Sequence, residues 1–393
     1  MELSRSLIWS CDMDFGLNEE QRLLQESCRR LLDEQCRFDK RKALVDGGGF
    51  DARRWQTYAE MGWLGLAVPE SRGGVGAGAV EQCILMEAIG RALCVEPVWA
   101  VGIVAAQLLV ALGASPLGDE LLRQLIAGDG RPVLAHGEAH ARGEVAHVGT
   151  RASQTAPGRW VINGEKSLVV AGNIADRLIV SARTSGATCD ADGISLFLID
   201  PAHAGVERRD IRLIDNRWCA HVRLTDVEVT EADLLGPVGA AYPAIDQALA
   251  HGALALCAEA VGLMERALWS TRDYLKLRKQ FGSTLSSFQV LQHRMSEMLI
   301  ELELSRSMVF RCISRMESDS TTRNGALSAT KVHIGRSGRF VCGQAIQLHG
   351  GIGVTDDYVI GHYFKRMTLI DNALGSTASH LERLANRERE VGA

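Results

Sequence analysis

PGRWVINGEKSLVVAGNIADRLIVSAR, residues Pro157 to Arg183, decides the fold, because helical patterning runs before it and after it and stops here. Trp160-Val161-Ile162 and Leu178-Ile179-Val180 are short β-branched and apolar runs, and Ile194 to Ile199 is a third. Turn residues bound them: Pro157-Gly158, Asn163-Gly164, Asp192-Gly193 and Asp200-Pro201. Such runs, with a turn about every ten residues, predict an all-β unit. Val222, Leu224, Val227 and Val229 suit a closing strand whose alternation slips near Asp226.

Upstream, Asn18 suits an N-cap, with Glu19 and Glu20 placed for the positive end of the helix dipole. Leu24, Cys28, Leu31 and Leu32 recur at helical spacing, and helical patterning returns at Val80 to Leu93 and Val101 to Leu112. Between these lies the glycine-rich interruption Gly62 to Gly78. Downstream, Leu254 to Leu277 is one long candidate helix. Phe288, Leu291, Met295, Met298, Leu299, Leu302 and Val309 form an apolar stripe, read as bundle core. Further helices are expected at Ala326 to Leu348 and Thr377 to Arg389. The expected class is α+β: a helical unit over 1–130, a central antiparallel β unit over 131–235, and a C-terminal four-helix bundle over 236–393.

Composition narrows the function. The chain has 393 residues, 46% hydrophobic and 23% charged, with a formal net charge of −5, which gives no sign of a nucleic-acid binder. Its ten cysteines are scattered with no CxxC, which reads as reduced thiols in a cytoplasmic protein without a structural metal site. No run of about 18 consecutive apolar residues predicts a membrane span. Ser4 to Cys11 is too short and polar for a signal peptide.

Four ordered segments carry a resemblance. They are Gly62-Trp63-Leu64-Gly65-Leu66-Ala67-Val68-Pro69-Glu70 with Glu87-Ala88-Ile89-Gly90-Arg91; Trp160 to Lys166 with Val180-Ser181-Ala182-Arg183; Arg278-Lys279-Gln280-Phe281-Gly282 with Phe288-Gln289; and Gln347-Leu348-His349-Gly350-Gly351-Ile352-Gly353. Together they resemble the acyl-CoA dehydrogenase family. The resemblance implies the three-unit fold above, FAD at a subunit interface within a tetramer, an acyl-CoA substrate, and an electron-transfer flavoprotein-type acceptor.

The flavin motifs make physical sense. Arg278 is always charged and forked, which suits the pyrophosphate of FAD. Phe281 offers an apolar face, and Gln289 and Gln347 can donate and accept. Gly282, Gly350, Gly351 and Gly353 let backbone approach a bulky ligand. A surface arginine and an ordinary glycine turn remain the plainer alternative for each motif alone. In the central unit the match loosens. Ala135-His136-Gly137-Glu138 stands where many relatives read Thr-Glu, and Leu168-Val169-Val170 stands where they read Trp-Ile-Thr beside the flavin. Val169 and Val170 would line the ring without a threonine hydroxyl near N5.

The family's reaction removes a proton α to the thioester and sends the β-hydrogen to flavin as hydride. A glutamate usually serves as base. Aligning on Arg366 puts that position at Gly375; aligning on Arg383 puts it at Ser376. The alternative family position falls on Gly252, followed by Ala253. None of these can take a proton. His251, Asp246, Glu259 and Asp371 are nearby substitutes, none of them well placed. Small residues at these positions predict extra acyl volume, suited to a branched or steroid-derived group. Three explanations stay open: pairing with a homologous subunit that carries the base, as in heterotetrameric steroid-type members; altered chemistry, as in a flavin oxidase or monooxygenase; or a non-catalytic structural partner.

Overall fold

The computed structural model describes residues 16–391, so the Ser4 to Cys11 segment lies outside the described residues. The N-terminal unit comprises α1 (Glu19–Gln35), α2 (Phe38–Asp46), α3 (Ala52–Glu60), α4 (Ala79–Ala92), α5 (Ala106–Ala111) and α6 (Pro116–Ala127). Asn18 opens α1 with a capping box: its side chain accepts from the Gln21 amide, and the Gln21 side chain accepts in return. A π-helical turn, Trp99–Ala105, precedes α5. It widens the helix where a regular one was expected, and all seven of its residues are buried.

The central unit is an eight-stranded sheet. Its strands are β1 (Pro132–Ala135), β2 (Arg151–Ala156), β3 (Arg159–Val170), β4 (Arg177–Arg183), β5 (Ile194–Ile199), β6 (Val206–Arg212), β7 (Trp218–Thr230) and β8 (Leu234–Leu235). The order is β6-β7-β3-β2-β4-β5-β8, with β1 parallel to β4. Two further parallel bridges join Arg151 to Arg183 and Ile194 to Ala240; the other paired strands are antiparallel. Asn163-Gly164, read from sequence as a turn, lies inside β3 instead. Gly164 sits so close to Thr150 that an added Cβ would fall 2.6 Å from its Oγ1, which is why glycine stands there. Opposite, Asp226 has φ +49°, and the β3–β7 register shifts between Ile162 and Gly164. This bulge is the slip visible in the sequence. Inside the sheet Lys166 is wholly buried and donates to the Glu138 carboxylate at 2.8 Å. Burial alone would raise the Glu138 carboxyl. Lys166 and the backbone amides of Gly149 and Thr150 instead hold it down to about 2.

The C-terminal unit comprises α7 (Tyr242–Leu277), a two-stranded hairpin of β9 (Lys279–Gln280) and β10 (Ser283–Thr284), α8 (Gln289–Ile313), α9 (Ser320–His349), α10 (Val359–Asn372) and α11 (Thr377–Val391). Helix α10 was not legible in the sequence, so five helices pack here. Met298, Leu302 and Val309 of the expected stripe are buried, whereas Leu299 is partly exposed. Helix α7 is long and apolar enough to cross a bilayer, yet 89% of its apolar window is buried inside the protein, which makes it a core helix.

Two glycines set the α4–α7 crossing. A Cβ on Gly90 would fall 2.0 Å from the Glu259 carbonyl oxygen, and one on Gly262 would fall 1.9 Å from that of Glu87. The helices therefore touch backbone to backbone. Beside the crossing a buried charge cluster ties the three units together. Glu259 accepts from Arg366 Nε and Nη2 at 2.7 and 2.6 Å and from Arg217 Nη2 at 3.0 Å. Asp215 accepts from Arg366 Nη1 at 3.2 Å, and its carbonyl takes Arg41 Nη2 at 2.7 Å. Removing one member would strand the others without water, so the cluster pins the packing of the units.

Candidate active site

The turn between α10 and α11 carries one expected base position. Lys331, buried in α9, donates to the carbonyls of Ile370 at 2.7 Å and Ala373 at 2.8 Å, and thereby caps the C-terminus of α10. The chain then turns through Leu374 at φ +55° and Gly375 at φ +104°. An added Cβ at Gly375 would lie 2.6 Å from His380 Nε2. The ring of His380 thus occupies the direction a longer residue would take. His380 Nε2 meets the Leu374 carbonyl at 3.2 Å and Nδ1 meets Ser328 Oγ at 3.0 Å. A carbonyl only accepts, so Nε2 bears the proton and Nδ1 accepts from the serine. Burial, then the charges of Lys331 and Arg383, push this histidine down to about 3, and it stays neutral. Ser376 Oγ accepts from the Ser379 amide at 3.2 Å, an N-cap role for α11.

Gly252, the other expected base position, lies on α7 and faces the same spot. A Cβ there would meet Val104 Cγ2 at 2.5 Å, Leu374 Cδ1 at 3.1 Å and Trp99 Cε3 at 3.8 Å. The two base positions therefore converge, as sequence alignment alone could not show, and Leu374, Val104 and Trp99 fill the place where they meet. At Gly252 and Gly375 the first carbon of a longer side chain would therefore meet a neighbour. The space of each missing side chain is taken by a neighbour from another element.

The nearby titratable groups are all engaged. His251 is buried, its Nδ1 3.3 Å from Gln82 Oε1, and burial, with Arg323, pushes it down to about 4. Asp246 accepts from Arg323 at 2.5 Å and from Asn324. Glu259 belongs to the buried cluster described above. Asp371 accepts from Thr377 Oγ1 at 2.5 Å and pairs with Arg339 at 2.9 Å.

The flavin-motif residues fall in two places. Arg278 ends α7, where its amide donates to the Tyr274 carbonyl; it is exposed, and its guanidinium makes no hydrogen bond or ion pair among the described residues. Phe281 and Gly282, at φ +55° and +77°, form the two-residue turn between β9 and β10, the geometry of a type I′ hairpin. Phe281 is 90% exposed and meets Phe288 edge-on. Gln289 and Gln347 are exposed. Gly350 and Gly351 have open space where a Cβ would stand, whereas Gly353 packs against Ile346. Tyr274, one turn before Arg278, joins the motifs: its ring stacks 4.4 Å from that of His349, and its hydroxyl donates to the His349 carbonyl. The sequence reading passed over His349. Its Nδ1 hydrogen bonds the Ala345 carbonyl, which leaves Nε2 a buried acceptor without a partner. Val169 and Val170 stand apart at the end of β3, where Val170 lines a cavity of about 20 Å³ with Trp99, Arg217 and Trp218.

An uncommitted arginine, open glycines, an exposed aromatic ring and an orphaned imidazole nitrogen suit a large anionic ligand with heteroaromatic and polar edges. FAD is such a ligand, and the C-terminal motif fits it. At the β3 end no side-chain hydroxyl is available from Val169 or Val170, so backbone groups are what remains to meet a flavin ring there.

Comparison with known proteins agrees along the chain. Family models for the acyl-CoA dehydrogenase N-terminal, middle and C-terminal domains match residues 18–129, 134–227 and 242–388. A probable acyl-CoA dehydrogenase, YngJ of Bacillus subtilis, is 28% identical over 95% of this chain and 98% of its own length. A structure of a variant of the Tcur3481-Tcur3483 steroid ACAD superposes with a TM-score of 0.84 at 30% identity, covering 95% of this chain and 99% of that one. A chain of the ChsE4-ChsE5 complex from Mycobacterium tuberculosis has the same fold, with a TM-score of 0.86 at 24% identity over 96% and 99%.

Proposed function

The chain belongs to the acyl-CoA dehydrogenase family of FAD-dependent oxidoreductases, and from that premise we propose that it is a subunit without its own catalytic base, paired with a homologous subunit that carries one. The observation that carries this reading is the filled base site. Gly375 is backed by His380 and Gly252 is capped by Val104 and Leu374, so the first carbon of a carboxylate side chain at either position would meet a neighbour.

FAD is the cofactor we assign, with Arg278 at its pyrophosphate and Phe281, Gly282, Gln289, Gln347, Gly350 and Gly351 around it. When bound, the flavin supplies a hydride acceptor. This chain's residues then bind, orient and exclude water, and the proton is taken by the partner's glutamate. Exposed apolar side chains on the C-terminal unit, among them Leu277, Phe281, Ile300, Leu304 and Val354, provide a face for subunit association. The bulky acyl group, branched or steroid-derived, is housed by the partner, a reading supported by the likeness to the Tcur3481-Tcur3483 steroid ACAD. Electrons leave to an electron-transfer flavoprotein-type acceptor. The divisions near residues 130 and 235 set the three units that build this assembly.

A structural partner with no flavin contact is the second reading, favoured by the same closed site. Two measurements separate them. The chain alone, assayed with a panel of acyl-CoA thioesters and an artificial acceptor, is expected to give little turnover, and the co-expressed pair to give robust turnover. Arg278→Ala in the pair is expected to weaken FAD retention, because it removes a charge-assisted contact. Robust turnover by the isolated chain refutes the pairing. Unchanged flavin content after Arg278→Ala leaves only the structural role.

A further inference from the structure

Far along the sequence from one another, two thiols meet in the N-terminal unit. Cys36 follows the last residue of α1, its amide donating to the Leu32 carbonyl at 2.8 Å, and Cys94 follows the end of α4. Their sulfurs and the Glu96 carboxylate lie within 4.8 Å of one another. Tyr58 Oη stands 3.7 Å from Cys36 Sγ and 3.3 Å from Cys94 Sγ. Cys94 Sγ donates to Glu96 Oε2 at 2.9 Å. Arg54 Nη1 lies 3.7 Å from Cys36 Sγ and 3.1 Å from Glu96 Oε1. A cavity of about 10 Å³ opens on both sulfurs and is lined also by Arg37, Arg41 and Arg54.

Two sulfurs and a carboxylate invite a metal ion, but the charge argues otherwise. Arg54 already neutralises the Glu96 carboxylate, and a divalent cation would sit against its guanidinium with three ligands where zinc takes four. The same arginine suits a thiolate. We propose that Cys36 and Cys94 form a hydroperoxide-reactive dithiol that closes to a disulfide. Cys36 is the attacking sulfur: it is half-buried, with Arg54 beside it. The neighbouring Cys94 thiol first, with Arg54 and Tyr58 in addition, holds its thiol down against burial and the Glu96 charge. Cys94 is pushed up and keeps its proton until Glu96 takes it. Burial pushes Cys28, Cys312 and Cys342 up to about 12.

The chemistry balances. The Cys36 thiolate attacks the terminal peroxide oxygen, the O–O bond breaks, and the alkoxide leaves and is protonated to an alcohol. Cys36 is then a sulfenic acid. Glu96 accepts the Cys94 proton, the new thiolate attacks the Cys36 sulfur, the S–O bond breaks, and hydroxide leaves with that proton as water. Two thiols and one hydroperoxide give one disulfide, one alcohol and one water. The two electrons come from sulfur. The sulfurs, now within 4.8 Å, must approach to about 2.05 Å for the bond to form.

The test uses the full-length chain with its flavin and any bound partner. Hydrogen peroxide is titrated in, remaining thiols are capped under denaturing conditions, and peptides are mapped without reductant. The expected result is a Cys36–Cys94 linked peptide that forms before the exposed Cys189 reacts and disappears with dithiothreitol. Cys36→Ser should abolish it. Cys94→Ser should leave a sulfenic acid on Cys36 that dimedone traps, which keeps the proposal testable if either variant packs poorly. Both thiols remaining free while Cys189 oxidises would overturn it. So would stoichiometric binding of zinc that shields both thiols from the capping reagent.

Discussion

Placing a glutamate at Gly375 tests the filled base site directly. The backbone there sits at φ +104°, and the first side-chain carbon would lie 2.6 Å from His380 Nε2. Any residue other than glycine at such a φ costs roughly 1–3 kcal/mol. Forcing a side chain into a packed region costs about 1–3 kcal/mol more. The sum for Gly375→Glu is about 2–6 kcal/mol. Unfolding entropy near 2.1 cal/mol/K per residue gives about 0.8 kcal/mol/K for 393 residues, so the melting temperature is expected to fall by about 2–7 °C. The packing share is recoverable: Gly375→Glu with His380→Ala should melt higher than the two single losses added together, because the ring is the obstacle. The assay is thermal unfolding followed by circular dichroism on the four proteins of the cycle. Turnover by the isolated Gly375→Glu chain should remain negligible, because a side chain forced against His380 is not held where a base must stand. A melting temperature within a degree of wild type, or additive losses in the double variant, would refute the argument that His380 fills this place.

Lys331→Met should cost about 2–4 kcal/mol, since it strands the buried carbonyl of Ile370 and the part-buried one of Ala373; an unchanged urea midpoint would show that the turn does not need its cap. Glu138 carries a carboxyl depressed from 4.5 to about 2, so its contribution is present above pH 4.5 and is lost as pH falls toward 2. Glu138→Gln should therefore lower stability at neutral pH and flatten the decline across that window, and parallel melting curves for both proteins would count against the pairing with Lys166.

The order of helix and strand was legible because it rests on local periodicity. Asn18, with its paired Gln21, and the alternation slip at Asp226 are short-range features, and the structure realises both. What was not legible depended on neighbours distant in sequence. Gly164 looks like a turn residue until Thr150 is seen against it. Gly252 looks like vacated volume until Val104 and Leu374 arrive from elsewhere to occupy it. The glycines of the fourth motif were readable, but the orphaned nitrogen of His349 beside them follows from a ring orientation set by the Ala345 carbonyl. Cys36 and Cys94 fit no metal or redox spacing, and only the fold of the N-terminal helices joins them.

The backbone contact between α4 and α7 has a mechanical meaning. With Gly90 against the Glu259 carbonyl and Gly262 against that of Glu87, the crossing has no clearance. A closer approach would drive a carbonyl into a Cα, so the joint sets how near the first and third units can stand. The turn that carries Leu374 is tied differently: it hangs from α10 by the ammonium of Lys331, and its backbone is held in the left-handed region.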